Sequence, residues 1–124
     1  MSSPDVSEFP QEPSWSKSEK AIARTVFDAA LRRELLELMK EVKRRANQMQ
    51  QPSQLWDLEY YLTERRKEVD RKYDYRYSQL RIVFGRLLYE GRINENELSG
   101  LSENKLKPIR SLAEFLTKDA AGLI

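Results

Sequence analysis

Cysteine and histidine are absent from the 124-residue sequence, and glycine occurs only four times. Without cysteine there can be no disulfide, no thiol nucleophile and no zinc site of the usual kind. Without histidine the commonest general base is also missing, so a catalytic site would have to use carboxylates alone. The glycines form neither GxGxxG nor GxxxxGK(S/T), the loops that hold phosphates. We therefore expect no catalytic residue, no metal ion and no cofactor.

Long apolar runs are missing as well. The sequence contains no stretch of 18 apolar residues, and its first residues do not form a basic and apolar leader. Neither a membrane span nor a signal peptide is therefore expected. The lack of cysteine is typical of the cytoplasm, where disulfides are rare.

Charge is abundant but almost balanced, with 22 Lys and Arg against 20 Asp and Glu and a net charge of +2. A nucleic-acid binder would need a larger basic excess, and acids interleave the basic cluster at 65–72, where they would repel phosphates. Carboxylates in this region have basic neighbours three or four residues away, as Glu64 has Lys67. This spacing indicates ion pairs on a helix surface and argues against acid–base catalysis and against a nucleic-acid partner.

The apolar spacing predicts a single all-helical domain over residues 15–119, between a disordered leader at 1–14 and a loose tail at 120–124. Ser16 and Glu19 form a capping-box pattern, and Gly91 is placed to end a helix. No segment alternates with the period of a strand. The predicted helices span about residues 17–50, 54–90, 95–99 and 103–117.

The two long helices are expected to form an antiparallel hairpin, because only a short turn containing Pro52 joins them. The short C-terminal helices then form a head at one end. A helix of 34 residues is about 50 Å long, more than the core of a small domain can cover. The length therefore predicts a homodimer through the long helices. Its expected apolar seam consists of Leu35, Leu38, Leu55, Leu62 and Val69.

A second face borders this seam on the second long helix. With Leu55 at zero on a helical wheel, Arg66 falls about 20° away, inside the predicted stripe, with Asp70 and Glu59 as its predicted partners. Trp56 and Tyr60 follow along the same border. Tryptophan and arginine beside acids are typical of a binding hot spot. The alternative is that Trp56 packs on the first helix and Arg66 makes a solvated ion pair.

Several short stretches resemble the fluorescence recovery protein family in order and spacing: "PSWSKSE", "LW", "RR", "VDRKYD" and "FGRLLYEG". The resemblance runs from about Pro13 to about Leu116. It implies an all-helical dimer that regulates photoprotection and is not an enzyme. The implied partner is the C-terminal domain of the photoactivated orange carotenoid protein. Binding there would detach the carotenoid protein from the phycobilisome and hasten its return from the red to the orange form. The implied location is cytoplasmic, close to phycobilisomes at the thylakoid surface.

The resemblance also implies which residues contact the partner. A patch around the family's tryptophan corresponds to Trp56, Glu59, Tyr60 and Arg66, although Glu59 stands where a histidine can occur and Tyr60 where an acid can occur. A second contact surface on the head is implied for Ile82, Phe84 and the region from Lys105 to Ile109. There Pro108 departs from a basic residue, with Lys107 beside it as a substitute. The alternative function is a self-associating helical scaffold with no carotenoid-protein partner.

Overall fold

The computed structural model describes residues 14–123, which form four α-helices and one 3₁₀ helix without any strand. The prediction of an all-helical chain is confirmed. The predicted leader, apart from Ser14, and the last residue of the predicted tail lie outside the described residues. The elements are α1 (Lys17–Asn47), α2 (Gln54–Lys72), α3 (Leu80–Tyr89), the 3₁₀ helix (Glu95–Leu98) and α4 (Glu103–Ala120).

The predicted continuous helix over residues 54–90 is wrong, because α2 ends at Lys72 and α3 starts at Leu80. Tyr73 leaves the helical conformation with φ −90° and ψ 72°. The rings of Tyr73 and Tyr75 both pack edge-on against Phe27 of α1, with centroid distances of 5.4 and 4.8 Å. In a helix, residues two apart point to nearly opposite sides. Only a non-helical backbone lets both tyrosines contact the same phenylalanine.

The apolar core lies where the N-terminal half of α1 meets α3, the 3₁₀ helix and α4. The predicted head is therefore not built from the C-terminal residues alone. α3 packs tightly against α4, where a β-carbon on Gly85 would lie 2.8 Å from Cδ2 of Leu112. The largest apolar side chains that are fully buried are Leu80, Phe84, Leu87, Leu98 and Ile109.

The start of α1 is tied to the start of α4 through a buried ion pair. The predicted capping box is present, with Ser16 Oγ accepting from the Glu19 N–H at 3.1 Å and Glu19 Oε1 accepting from the Ser16 N–H at 3.0 Å. Lys105 Nζ donates to Glu19 Oε1 at 3.0 Å, and both the N–H and the hydroxyl of Ser102 donate to Oε2. One carboxylate thus caps α1 and fixes α4 against it.

The ion pair at Glu19 makes stability depend on pH. Burial by itself would raise the pKa of Glu19, but the Ser16 and Ser102 N–H groups and the Lys105 ammonium outweigh it and lower the pKa from 4.5 to about 2. A lowered pKa stabilises the fold above the unfolded value and ceases to do so as the pH falls through the folded value. We expect the urea midpoint to fall between pH 4.5 and about 2, and to fall less steeply in Glu19→Gln. Identical pH profiles for the two proteins would contradict this assignment.

Beyond the core, α1 and α2 run antiparallel with few apolar contacts. The guanidinium of Arg45 lies 3.5 Å from the ring centroid of Tyr61, and Glu34 contacts Arg65. Residue numbers therefore increase along α1 as they decrease along α2. On α2 only Val69 is buried. The rest of the predicted seam is not covered within the chain: Leu35, Leu55 and Leu62 are 43%, 55% and 42% exposed, and Leu38 is half-buried.

Candidate partner-binding surface

Four residues of α2 form an exposed surface that we call the α2 patch: Trp56, Glu59, Tyr60 and Arg66. Trp56 and Tyr60 are each 69% exposed and lie one helical turn apart on the same side of the helix. Glu59 is exposed between them, and the Arg66 side chain is 83% exposed. Two large aromatic side chains this accessible on one helix face are typical of a surface that binds another protein.

Within one chain no apolar seam covers Arg66. Its Nε is 3.9 Å from Oδ2 of Asp70, at the limit of an ion pair, and both side chains are mostly exposed. The predicted partner Asp70 is thus confirmed, whereas Glu59 makes no ion pair with any described residue. A solvated pair of this kind contributes little to stability. Arg66 is therefore free to bind something else.

The side of α2 that faces α1 is rotated by about 80° from the predicted stripe. Leu58, Tyr61, Arg65, Val69 and Lys72 lie on this inner side and are buried or half-buried. Leu55 and Leu62 lie about 60–80° around the helix from this inner side and stay 55% and 42% exposed. As a result, α2 turns two cations as well as three apolar or aromatic side chains toward α1, and it leaves Leu55 and Leu62 exposed.

The inward cations converge on Glu34 of α1, a fully buried carboxylate that the sequence analysis missed. Tyr73 Oη donates to Glu34 Oε1 at 2.7 Å, and Lys72 Nζ donates to Oε2 at 2.9 Å. Arg65 Nη2 also donates to Oε2 at 3.1 Å, and Arg92 Nε lies 3.1 Å from Oε1. This cluster, called the Glu34 cluster below, joins α1 to α2 and to the loop after α3.

The electrostatics of the Glu34 cluster keep its carboxylate ionised. Burial would raise the pKa of Glu34, but hydrogen bonds from Lys72 and Tyr73 and the charge of Arg92 lower it. Burial and the hydrogen bond to Glu34 raise the pKa of Tyr73, so its hydroxyl remains a donor. Lys72 and Arg92 also contact Glu90, each within 2.9 Å. Together with Glu90 the cluster sets three cations against two carboxylates, and these ion pairs hold α2 on α1.

A signal for both buried acids was present in the sequence. Ala23, Phe27 and Ala30 recur at spacings of three and four, and the same spacing continues to Glu34 four residues later and back to Glu19 four residues earlier. An acid in register with an apolar stripe is buried with it, and a buried charge requires a partner. The partners themselves come from distant segments that sequence spacing cannot identify.

The predicted contact residues of the head separate into exposed and buried ones. Ile82 is 56% exposed and Lys107 is exposed. Phe84 is fully buried, so its prediction as a contact residue is wrong. Ile82 and Phe84 are two residues apart on α3 and therefore point to different sides of the helix. Lys105 and Ile109 are buried as well.

Two features of other functional classes are missing from the described residues. Residues 14–123 contain no group of three or more acidic side chains placed to hold a metal ion. No helix described by the structure is long and apolar enough to cross a membrane.

Comparisons with known proteins agree on one family. A family model described as the photoprotection regulator fluorescence recovery protein matches residues 15–113. The Fluorescence recovery protein of Synechocystis sp. PCC 6803 is 39% identical over 104 residues, covering 84% of this chain and 95% of the relative. The solved structures of the Fluorescence Recovery Proteins of Fremyella diplosiphon and Synechocystis sp. PCC 6803 each superpose with a TM-score of 0.77. Each is 39% identical and covers 82% of this chain and 99% of the other.

Proposed function

Because the chain belongs to the fluorescence recovery protein family of photoprotection regulators, we propose that it binds the C-terminal domain of the photoactivated orange carotenoid protein. Binding detaches the carotenoid protein from the phycobilisome and accelerates its return from the red, quenching form to the orange, resting form. Non-photochemical quenching then ends. The chain works close to phycobilisomes at the cytoplasmic face of the thylakoid membrane.

The α2 patch is the observation that carries this proposal. Trp56 and Tyr60 offer two rigid aromatic anchors, and each is 69% exposed. Arg66, ten residues after Trp56 on the same helix, adds a guanidinium that only a weak ion pair to Asp70 engages. Aromatic anchors next to an arginine dominate the binding energy in many protein interfaces. Because these side chains contribute little to the fold of their own chain, their exposure is explained by a partner.

The mechanism is differential binding and requires no chemistry by this chain. A protein speeds a conformational change only if it binds the transition state more tightly than the starting state. Each tenfold acceleration requires about 1.4 kcal/mol of such preference. The α2 patch and the head are separate surfaces on one chain, so they can contact two parts of the partner at once. We propose Ile82 and Lys107, both exposed, as the contacts from the head.

A homodimer is the second part of the proposal. Leu35, Leu55 and Leu62 remain between 42% and 55% exposed, and Leu38 is half-buried, so this part of the predicted seam is available to a second copy. Val69 is only 7% exposed within one chain, so it has little surface left to contribute to a dimer seam. Apolar residues exposed along two adjacent helices mark an interface more often than an isolated exposed leucine does.

We expect Leu62→Glu to weaken the dimer without unfolding the chain. Leu62 is 42% exposed in the single chain, so a glutamate there remains hydrated in a monomer but would be desolvated at an apolar dimer seam. Light scattering across a dilution series measures the mass. Leu123→Glu is the matched control, because Leu123 is 76% exposed and lies after the end of α4. Equal masses for wild type and Leu62→Glu at all concentrations would contradict the seam.

Size-exclusion chromatography tests the proposed function. Purified chain is mixed with the orange carotenoid protein and run once under continuous blue light and once in the dark. We expect the two proteins to elute together under light and largely apart in the dark. Separate elution under both conditions would favour the helical scaffold. Equal co-elution under both conditions would contradict selectivity for the photoactivated form.

A further inference from the structure

Arg81 is an arginine for which the described part of the chain supplies no partner. Most arginines in residues 14–123 are in ion pairs, and the exceptions are Arg32, Arg71 and Arg81. Arg32 and Arg71 are exposed and can be hydrated, whereas Arg81 is half-buried. Its Nε is buried and has no hydrogen-bond acceptor among these residues.

The position of Arg81 explains why its Nε is buried. Gly85, one turn further along α3, packs against Leu112 of α4. Residues four apart lie on the same side of a helix, so Arg81 lies on the side of α3 that faces α4. Its aliphatic stem is therefore covered at the junction of the two helices, while part of the residue stays accessible.

The electrostatic surroundings of Arg81 are unfavourable in the isolated chain. It lies in the first turn of α3, which contains no acidic residue, and the Gln79 side chain does not cap the helix. A cation near a helix N-terminus meets the positive end of the helix dipole. A buried donor without an acceptor adds a further free-energy cost. A carboxylate that pairs with the accessible end of the guanidinium would relieve the electrostatic cost.

We propose that Arg81 receives an aspartate or glutamate side chain of the carotenoid protein when the head docks beside the exposed Ile82. This inference rests on the proposed function and adds a charged contact to its head surface. A guanidinium is suited to this role because its planar fork binds both oxygens of one carboxylate. Arg81 and the α2 patch would then recognise the partner at two separate points.

The test compares three variants with the wild type for binding to the photoactivated carotenoid protein. Arg81→Met keeps the length of the stem and removes the guanidinium, Arg81→Lys keeps the charge and loses the fork, and Arg32→Met is the charge-matched control. We expect Arg81→Met to lose about tenfold or more in affinity, Arg81→Lys to be intermediate and Arg32→Met to change affinity by less than about twofold. The melting temperature of Arg81→Met should be unchanged or higher, because the variant removes an unpartnered buried donor.

Two results would overturn the assignment. Wild-type affinity in Arg81→Met would show that no carboxylate binds there. Weaker binding together with a lowered melting temperature would show that Arg81 serves the fold instead. Failure of the proposed function gives a different result, because the wild type itself would then bind no photoactivated carotenoid protein. In that case the proposed role of Arg81 is also wrong.

Discussion

Glu34→Ala is expected to lower the free energy of unfolding by about 3 kcal/mol, because removing one partner of a buried ion pair leaves the others uncompensated. Glu34 is fully buried and accepts contacts from Arg65, Lys72 and Arg92 as well as from the Tyr73 hydroxyl. This expected loss is at the lower end of the range for buried ion pairs, because these cations keep between 13% and 22% exposure and can be partly hydrated. Urea denaturation followed by circular dichroism measures it.

Glu37→Ala is the matched control for Glu34→Ala. Glu37 lies three residues further along α1 and contacts Arg92, but its side chain is 68% exposed. Its removal is expected to cost less than about 1 kcal/mol. Similar losses in the two variants would show that the Glu34 cluster is not the clasp between α1 and α2.

Arg66→Leu is expected to abolish most of the acceleration of red-to-orange recovery while leaving the fold intact. The Arg66 side chain is 83% exposed and its pair with Asp70 spans 3.9 Å, so the melting temperature should hardly change. Trp56→Ala is expected to have an effect of the same size, because it removes the largest anchor of the α2 patch. Truncating a hot-spot residue costs about 2 kcal/mol or more, which corresponds to about thirtyfold.

Arg71→Leu is the control for the change in charge. Arg71 is exposed on the same helix, makes no ion pair with a described residue and lies on a different face from Arg66. The Arg71→Leu variant should therefore accelerate red-to-orange recovery as much as the wild type does. Recovery rate, circular dichroism and melting are measured on each variant. Full activity in a well-folded Arg66→Leu would show that the α2 patch does not carry the function. A lowered melting temperature would show that Arg66 stabilises the fold instead.

Local features of the fold could be predicted from sequence. The predicted capping box of Ser16 and Glu19 forms as its spacing indicates. Gly91 adopts φ 73°, the left-handed conformation expected after a helix end. These features depend on residues within one turn of each other, so nothing distant competes with them.

The end of α2 at Tyr73 could not be predicted in this way. Residues 54–90 contain apolar side chains at helical spacing, with no glycine before Gly85 and no proline. The helix nevertheless stops because Tyr73 and Tyr75 both pack on Phe27, more than 40 residues earlier in the chain. Such contacts are formed only in the tertiary structure and outweigh the small differences in helix propensity.

The orientation of α2 was mispredicted for a related reason. A helical wheel places the apolar side of a helix against its neighbour. On α2 the neighbouring helix presents Glu34, which draws Arg65 and Lys72 inward and leaves Leu55 and Leu62 outside. Of the two alternatives for Trp56, packing on the first helix is wrong, because Trp56 and Tyr60 are each 69% exposed.

The most direct test follows the decay of red carotenoid protein to its orange form in the dark, by absorbance, as the concentration of this chain is raised. The rate is expected to increase with concentration and then to saturate when all the photoactivated protein is bound. Arg66→Leu should give a nearly flat line over the same concentrations. A decay rate that does not change with the concentration of wild-type chain would contradict the proposed function.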